Sequence, residues 1–136
     1  GFCEQSIRDL VKELGLEKSI HFFNPVPRKE IPSILSKSLV GIVSTEDNDG
    51  VRSAIPTKTF EYFACSLPVF AYGRSDELKR IIKESKAGIY IDGNNHEEIG
   101  NSLIELLGDE DKLKKYCLNG RKFMERKIDF SFLKEI

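Results

Sequence analysis

Two hydrophobic patterns alternate along the chain and predict its elements. Apolar residues three and four positions apart predict amphipathic helices over 4–14, from about Ile31, from about Pro56, around Leu78, around Leu103, and from Asp109 to about Ile128. Short β-rich or apolar runs between them predict four strands: SIHFF (19–23), LVGIVS (39–44), LPVFAY (67–72) and AGIYID (87–92). Strands and helices therefore follow one another almost to the end of the chain.

This alternation is typical of right-handed βαβ units, which place helices on both faces of a mostly parallel sheet. We therefore predict an α/β fold with three layers. The unbroken apolar run 39–44 predicts a strand buried on both faces. In such folds, ligands bind outside the carboxyl ends of the strands, so functional residues are expected in the loops 24–30, 44–56 and 72–76.

Composition narrows the class of protein. The 136 residues suit a single domain, 1–136, and 21 basic against 22 acidic residues give no basic stripe for nucleic acid. Three cysteines without a C-x-x-C pair favour a reducing, cytoplasmic compartment, and no run reaches the length of a membrane span. Because the chain opens on GFCEQSIRDL and enters a helix at once, we expect a piece of a longer protein.

The stretch IPTKTFEYFACSLPV (55–69) holds the candidate chemistry. Pro56 suits a first helical position, and the first turn of a helix attracts anions through its free N–H groups. Lys58 lies in that turn, where a lysine opposes the helix dipole unless a phosphate is bound. Glu61, three residues later, projects on the same face and could accept hydrogen bonds from the vicinal hydroxyls of a ribose. A weak surface pair between the two side chains explains the spacing equally well.

The residues from Ile55 to Ile99 resemble the donor-binding half of the family-4 type (group 1) glycosyltransferases of GT-B architecture. Those enzymes share the pattern P-x-K-x-x-E-Y-x-A-x-G-x-P-V. The positions that match it are Pro56, Lys58, Glu61, Tyr62, Ala64, Pro68 and Val69. The resemblance extends over nearly the whole chain and implies a Rossmann-like domain, half of a GT-B fold, as the C-terminal nucleotide-sugar-binding domain of the parent.

The resemblance also implies roles for individual residues. Glu61 matches the second glutamate of the E-x7-E motif, which holds the ribose of the donor, and Lys58 matches a lysine near the donor diphosphate. Both are the candidate catalytic residues. Arg28 is expected to line the base or the phosphates. Further donor contacts are expected from the loop 49–55 and the start of the next helix, at Gly50, Ser53, Pro56 and Thr57.

Two positions depart from the family pattern. Ser53 stands eight residues before Glu61, where the first glutamate of E-x7-E is expected, so recognition of the sugar by a carboxylate is in question. Ser66 replaces the glycine of A-x-G-x-P-V. The Arg and Lys pair that the family supplies from an earlier loop would precede Gly1.

The implied activity is transfer of a sugar, with retention, from a nucleotide diphosphate sugar to an acceptor hydroxyl, without a metal or other cofactor. Expected partners are an acceptor glycan or lipid-linked saccharide and an N-terminal domain of the same parent, which could associate peripherally with the inner face of the membrane. A metal site at the D-x-D of Asp47 and Asp49 stays an alternative. So does a non-catalytic α/β module that binds a nucleotide or a partner protein in the same crevice.

Overall fold

Helices alternate with parallel strands in the computed structural model, which describes residues 3–46 and 53–127. The helices are α1 (Glu4–Glu13), α2 (Ile31–Leu35), α3 (Lys58–Ala64), α4 (Asp76–Ser85), α5 (His96–Leu107) and α6 (Glu110–Lys127), with one 3-10 turn at Arg28–Glu30. The strands are β1 (Gly41–Ser44), β2 (Val69–Gly73) and β3 (Gly88–Asp92). The predicted α/β class with a parallel sheet is confirmed.

The chain divides into two compact units, Gly1–Ile31 and Pro32–Ile136. The first contains α1, the 3-10 turn and an irregular segment between them. The guanidinium of Arg8 in α1 lies 4.3 Å from the centroid of the Phe22 ring in that segment. The second unit contains the whole sheet and helices α3 to α6. The prediction of a single domain over 1–136 stays a prediction.

The sheet of the second unit has the order β1-β2-β3, with β2 in the centre. Gly41 faces Val69, and Val69 faces Gly88, so the three strands are in parallel register. Strand β2 is buried almost throughout because it has a strand on either side and helices packed against it. The core around it is formed by Val43, Phe63, Val69, Ala71, Leu78, Ile81, Ile82, Ala87 and Phe123.

Local sequence explains where two of the helices begin. Ser75 precedes α4 with extended dihedral angles, and its hydroxyl accepts a hydrogen bond from the backbone N–H of Leu78 at 3.1 Å. Asn95 caps α5 in the same way, through the N–H of Glu98 at 3.0 Å. The buried face of α4 then follows helix spacing, with Leu78, Ile81, Ile82 and Ser85 all inside.

Two expectations about burial and pairing are wrong. The run 19–23 forms no strand in the described part of the chain, since a short extended segment needs a hydrogen-bonding neighbour to become one. Strand β1 alternates between buried and exposed residues, with Ile42 46% exposed, because among the described residues it pairs only with β2 and keeps one face open. Helix α1, in contrast, forms where the pattern predicts it. Val11 is its only buried residue, since a unit of this size is too small to enclose the rest of the apolar stripe.

Among the residues described here, no helix is both long and apolar enough to cross a membrane.

Candidate functional site

Two of the predicted functional loops meet at the carboxyl end of β2. Ser75, which follows Gly73 by two residues, donates a hydrogen bond from its hydroxyl to the carbonyl oxygen of Ala54 at 3.0 Å. Its backbone N–H donates to the hydroxyl oxygen of Tyr90 on β3 at 2.8 Å. The loop that precedes α3 is thereby bonded to Ser75, which follows β2 and is itself bonded to Tyr90 of β3. This junction lies on the side of the sheet where α/β folds bind their ligands.

A close approach of backbones accompanies this junction. Gly73 has a φ of +123°, and a β-carbon at that position would run into the side chain and the carbonyl of Thr45, which follows β1. The backbone N–H of Thr45 donates to the carbonyl of Tyr72 at 3.1 Å and extends the pairing of β1 with β2. Among the described residues, the buried hydroxyl of Thr45 has no hydrogen-bonding partner. Only glycine at position 73 leaves room for this arrangement.

Helix α3 carries both candidate catalytic residues. Lys58 is its first residue and is exposed, and Glu61 lies one turn later and is partly buried. Pro56 lies two residues before the helix rather than at its first position, and its carbonyl accepts a bond from the N–H of Thr59 at 2.9 Å. Thr57 has helical dihedral angles, so the backbone turns into the helix before Lys58. The predicted placement of Lys58 in the first turn, with Glu61 after it, agrees with these bounds.

The opposite side of α3 is packed into the core. Thr59 and Phe63 are fully buried, and Gly120 of α6 lies so close that a β-carbon there would be 3.2 Å from the ring of Phe63. Tyr62 lies against Gly41 of β1, and burial together with the charge of Glu61 raises the pKa of the Tyr62 hydroxyl. The helix is therefore held on one side while Lys58 stays accessible.

The remaining predicted site residues are distributed between the two units and the undescribed loop. Arg28 is exposed at the start of the 3-10 turn, within the first unit. Ser53 is exposed in the turn that leads towards α3. Gly50, Asp47 and Asp49 lie outside the described residues, so both the backbone contact and the alternative metal site stay predictions. Across 3–46 and 53–127, no three His, Cys, Asp or Glu side chains are grouped as metal ligands would be.

The sequence analysis missed a polar cavity of about 290 Å³ at the ends of β2 and β3. Arg74, Asp76, Asp92 and Gly93 line it. Lys79 pairs with Asp92 at 2.5 Å, and this contact raises the pKa of Lys79. The sequence contains a signal for it, because Arg74 and Asp76 lie in the predicted functional loop 72–76 and Asp92 is the last residue of β3. It was overlooked because only the loop before α3 resembled a known motif.

Comparison with known proteins places the chain in one family. The sequence pattern described as "Glycosyl transferases group 1" matches residues 3–123. The chain is 28% identical over 107 residues to the D-inositol 3-phosphate glycosyltransferase of Corynebacterium urealyticum, with 78% of this chain and 24% of the relative covered. It is also 28% identical over 105 residues to the protein of the same name from Corynebacterium glutamicum, with 76% and 23% covered.

A third relative is an exopolysaccharide phosphotransferase of Streptomyces coelicolor, 26% identical over 110 residues, which are 81% of this chain and 11% of the relative. The chain thus spans no more than 24% of the length of these relatives. The family pattern, in contrast, covers nearly all of the two units. Because it extends over residues 3–123 of 136, the chain belongs to the group 1 glycosyltransferases.

Proposed function

We propose that this chain is the donor-binding part of a glycosyltransferase that moves a sugar from a nucleotide diphosphate sugar to an acceptor hydroxyl. The observation that carries the proposal is the position of Lys58 and Glu61 on one short helix, next to a loop that is hydrogen-bonded to Ser75, just after the end of β2. A cation and a carboxylate at that edge can bind the diphosphate and the ribose of one nucleotide.

Lys58 would act on the leaving group. When the bond between the sugar and the diphosphate breaks, negative charge builds up on the diphosphate, and a fixed ammonium group lowers the energy of that state. The dipole of α3 adds less, because the helix has only seven residues and few aligned peptide units. Lys58 is exposed, so its reach towards the diphosphate is not obstructed by the protein.

Glu61 would act on the bound donor. A carboxylate can accept two hydrogen bonds from the 2′ and 3′ hydroxyls of a ribose, and such charge-assisted bonds are stronger than neutral ones. This contact is the same before and during the reaction, so its loss should weaken donor binding more than it slows the chemical step. Ser53 could offer the sugar a hydroxyl in place of the carboxylate expected eight residues before Glu61. Retention at the anomeric carbon and independence of a metal are parts of this proposal.

A role in polysaccharide or glycoconjugate synthesis is supported by the names of the relatives, one an exopolysaccharide phosphotransferase and the others glycosyltransferases acting on D-inositol 3-phosphate. The two kinds of reaction leave different products. Transfer of the sugar alone releases a nucleoside diphosphate, whereas transfer of a sugar phosphate releases a nucleoside monophosphate. The chemistry assigned to Lys58, charge stabilisation on a leaving diphosphate, favours the first reaction.

The test is turnover of a panel of uridine, guanosine and adenosine diphosphate sugars by the full-length protein, with the released nucleotide identified. We expect nucleoside diphosphate as the product and a fall in kcat of about 100-fold for Lys58→Ala. Glu61→Gln should raise the KM for the donor about tenfold or more, the effect of losing a charged hydrogen bond.

Lys83→Ala is the matched control, since Lys83 is an exposed lysine of α4. Turnover that survives both site substitutions unchanged would rule out the proposed roles. Tight binding of a nucleoside diphosphate without any turnover would instead favour the non-catalytic module, and release of a monophosphate would favour phosphotransfer.

A further inference from the structure

Ser75 forms the hydrogen bonds that connect three parts of the second unit. Its hydroxyl accepts from the N–H of Leu78 at 3.1 Å and donates to the carbonyl of Ala54 at 3.0 Å, while its own N–H donates to the hydroxyl of Tyr90 at 2.8 Å. The residue is 1% exposed. A single hydroxyl therefore both caps α4 and binds the loop in front of α3.

The two hydrogen bonds of the Ser75 hydroxyl differ in what they require of the side chain. Capping needs only an acceptor, and many helices obtain it from a serine, threonine, aspartate or asparagine. The bond to Ala54 needs a donor, and it joins residues 21 positions apart. A serine or threonine hydroxyl can do both at once, because it carries one proton and two lone pairs.

The position of Ala54 gives this bond its significance. Ala54 lies between Ser53 and Pro56 and is four residues before Lys58, so its carbonyl is part of the backbone that enters α3. Among the described residues, backbone N–H groups in the first turn of α3 bond to nearby carbonyls: Thr59 to Pro56 at 2.9 Å, Phe60 to Thr57 at 3.1 Å and Glu61 to Thr57 at 3.3 Å. These bonds shape the turn, and the buried Thr59 and Phe63 pack the helix into the core. The Ser75 hydroxyl adds a hydrogen bond from the start of α4 to the loop before α3.

We propose that Ser75, held in place by Tyr90, is a positioning residue that sets where α3 begins and hence where Lys58 and Glu61 meet the donor. The inference rests on the function proposed above. Removal of the hydroxyl would leave the carbonyl of Ala54 without this donor and would free the loop to shift. A displacement of about 1 Å at a reacting group can cost up to a hundredfold in rate.

Ser75→Ala removes the cap of α4 and the bond to Ala54 together, so it needs a control that removes a cap alone. Asn95→Ala is that control, since Asn95 caps α5 through Glu98 with the same geometry. Tyr90→Phe keeps both caps and removes only the hydroxyl that accepts from the Ser75 N–H. Ser75→Thr keeps a hydroxyl and should restore the wild-type behaviour.

Two measurements on the full-length protein separate positioning from capping. The first is amide hydrogen exchange at Thr59 and Phe60, which report the first turn of α3. We expect exchange there to be at least about tenfold faster in Ser75→Ala, in line with the loss of about one hydrogen bond, and unchanged in Asn95→Ala. The second is kcat/KM for the donor sugar, which should fall about tenfold in Ser75→Ala and less in Tyr90→Phe.

Each result shows whether the positioning role of Ser75 or the proposed function has failed. Unchanged exchange at Thr59 and Phe60 in Ser75→Ala would overturn the positioning role whatever the enzyme does. Faster exchange with unchanged kcat/KM would overturn its link to the donor, as would an equal loss of kcat/KM in Asn95→Ala. If the wild-type protein turns over no nucleotide sugar, the proposed function fails, and the exchange rates alone then decide whether Ser75 holds the loop.

Discussion

Arg121 of α6 donates a hydrogen bond from Nη1 to the carbonyl oxygen of Ala64, the last residue of α3, at 2.8 Å. Carbonyls at the end of a helix have no partner within it, so a guanidinium from another helix is a favourable donor. The Phe63 and Phe123 rings meet edge to face next to this contact, with their centroids 5.8 Å apart. Helix α6 thus fixes the end of α3 opposite to the one that carries Lys58.

Arg121→Ala should lower the free energy of unfolding by about 1 kcal/mol, the usual contribution of a partly exposed hydrogen bond. The reason is that the Ala64 carbonyl loses its cationic donor while the aromatic packing of Phe63 on Phe123 remains. Urea unfolding followed by circular dichroism measures the change. A loss well above about 1 kcal/mol would mean that the guanidinium also contributes to packing.

Arg121 also pairs with Glu125 on its own helix, with Nε 2.9 Å from Oε1, and Glu125→Ala controls for that pair. Exposed pairs one turn apart contribute only about 0.3 to 0.5 kcal/mol. Equal losses in Arg121→Ala and Glu125→Ala would show that the ion pair, rather than the bond to Ala64, accounts for the effect.

The spacing of apolar residues was sufficient to predict β2 and the elements around it. Strands β2 and β3 and helices α3 to α6 all lie where the apolar patterns predict them. These elements carry their own signals: a central strand is apolar throughout, and an amphipathic helix shows its buried face. The loops 44–56 and 72–76 also meet, as the carboxyl-edge rule predicts.

The hydrophobic pattern did not predict features that depend on contact with another part of the chain. SIHFF has the composition of a strand, yet pairing is not a property of one segment. The bond from Ser75 to Ala54 was also out of reach, because a serine before a helix is fully explained by its capping role. The sequence contains no local sign that the same hydroxyl also holds a carbonyl 21 residues away.

Gly73→Ala should destabilise the protein at the junction of β1 and β2. An alanine there must adopt a φ of +123°, which costs about 1 to 3 kcal/mol, and its β-carbon would collide with Thr45. Overpacking of this kind typically adds about 1 to 3 kcal/mol. We expect a total loss of about 2 to 6 kcal/mol in the free energy of unfolding, measured by urea denaturation.

Gly93→Ala separates the two contributions. Gly93 has a φ of +91°, but a β-carbon there would meet no atom within 4 Å, so only the backbone cost applies. The two glycines are adjacent, since the N–H of Gly93 donates to the carbonyl of Gly73 at 2.8 Å. If both substitutions cost the same, the close approach of Thr45 contributes nothing to the requirement for glycine at position 73.

Ser66→Gly should stabilise the protein, because Ser66 stands where the family pattern has a glycine and has a φ of +55°. A left-handed conformation costs a non-glycine residue about 1 to 2 kcal/mol, whereas the greater freedom of glycine in the unfolded chain costs about 0.5 to 1 kcal/mol. The expected net gain is about 0.5 to 1 kcal/mol, measured as a higher urea midpoint with an unchanged slope. Ser102→Gly, within α5, is the matched control and should instead lose about 0.5 kcal/mol. A loss in both variants would mean that the Ser66 side chain makes a contribution that outweighs its backbone strain.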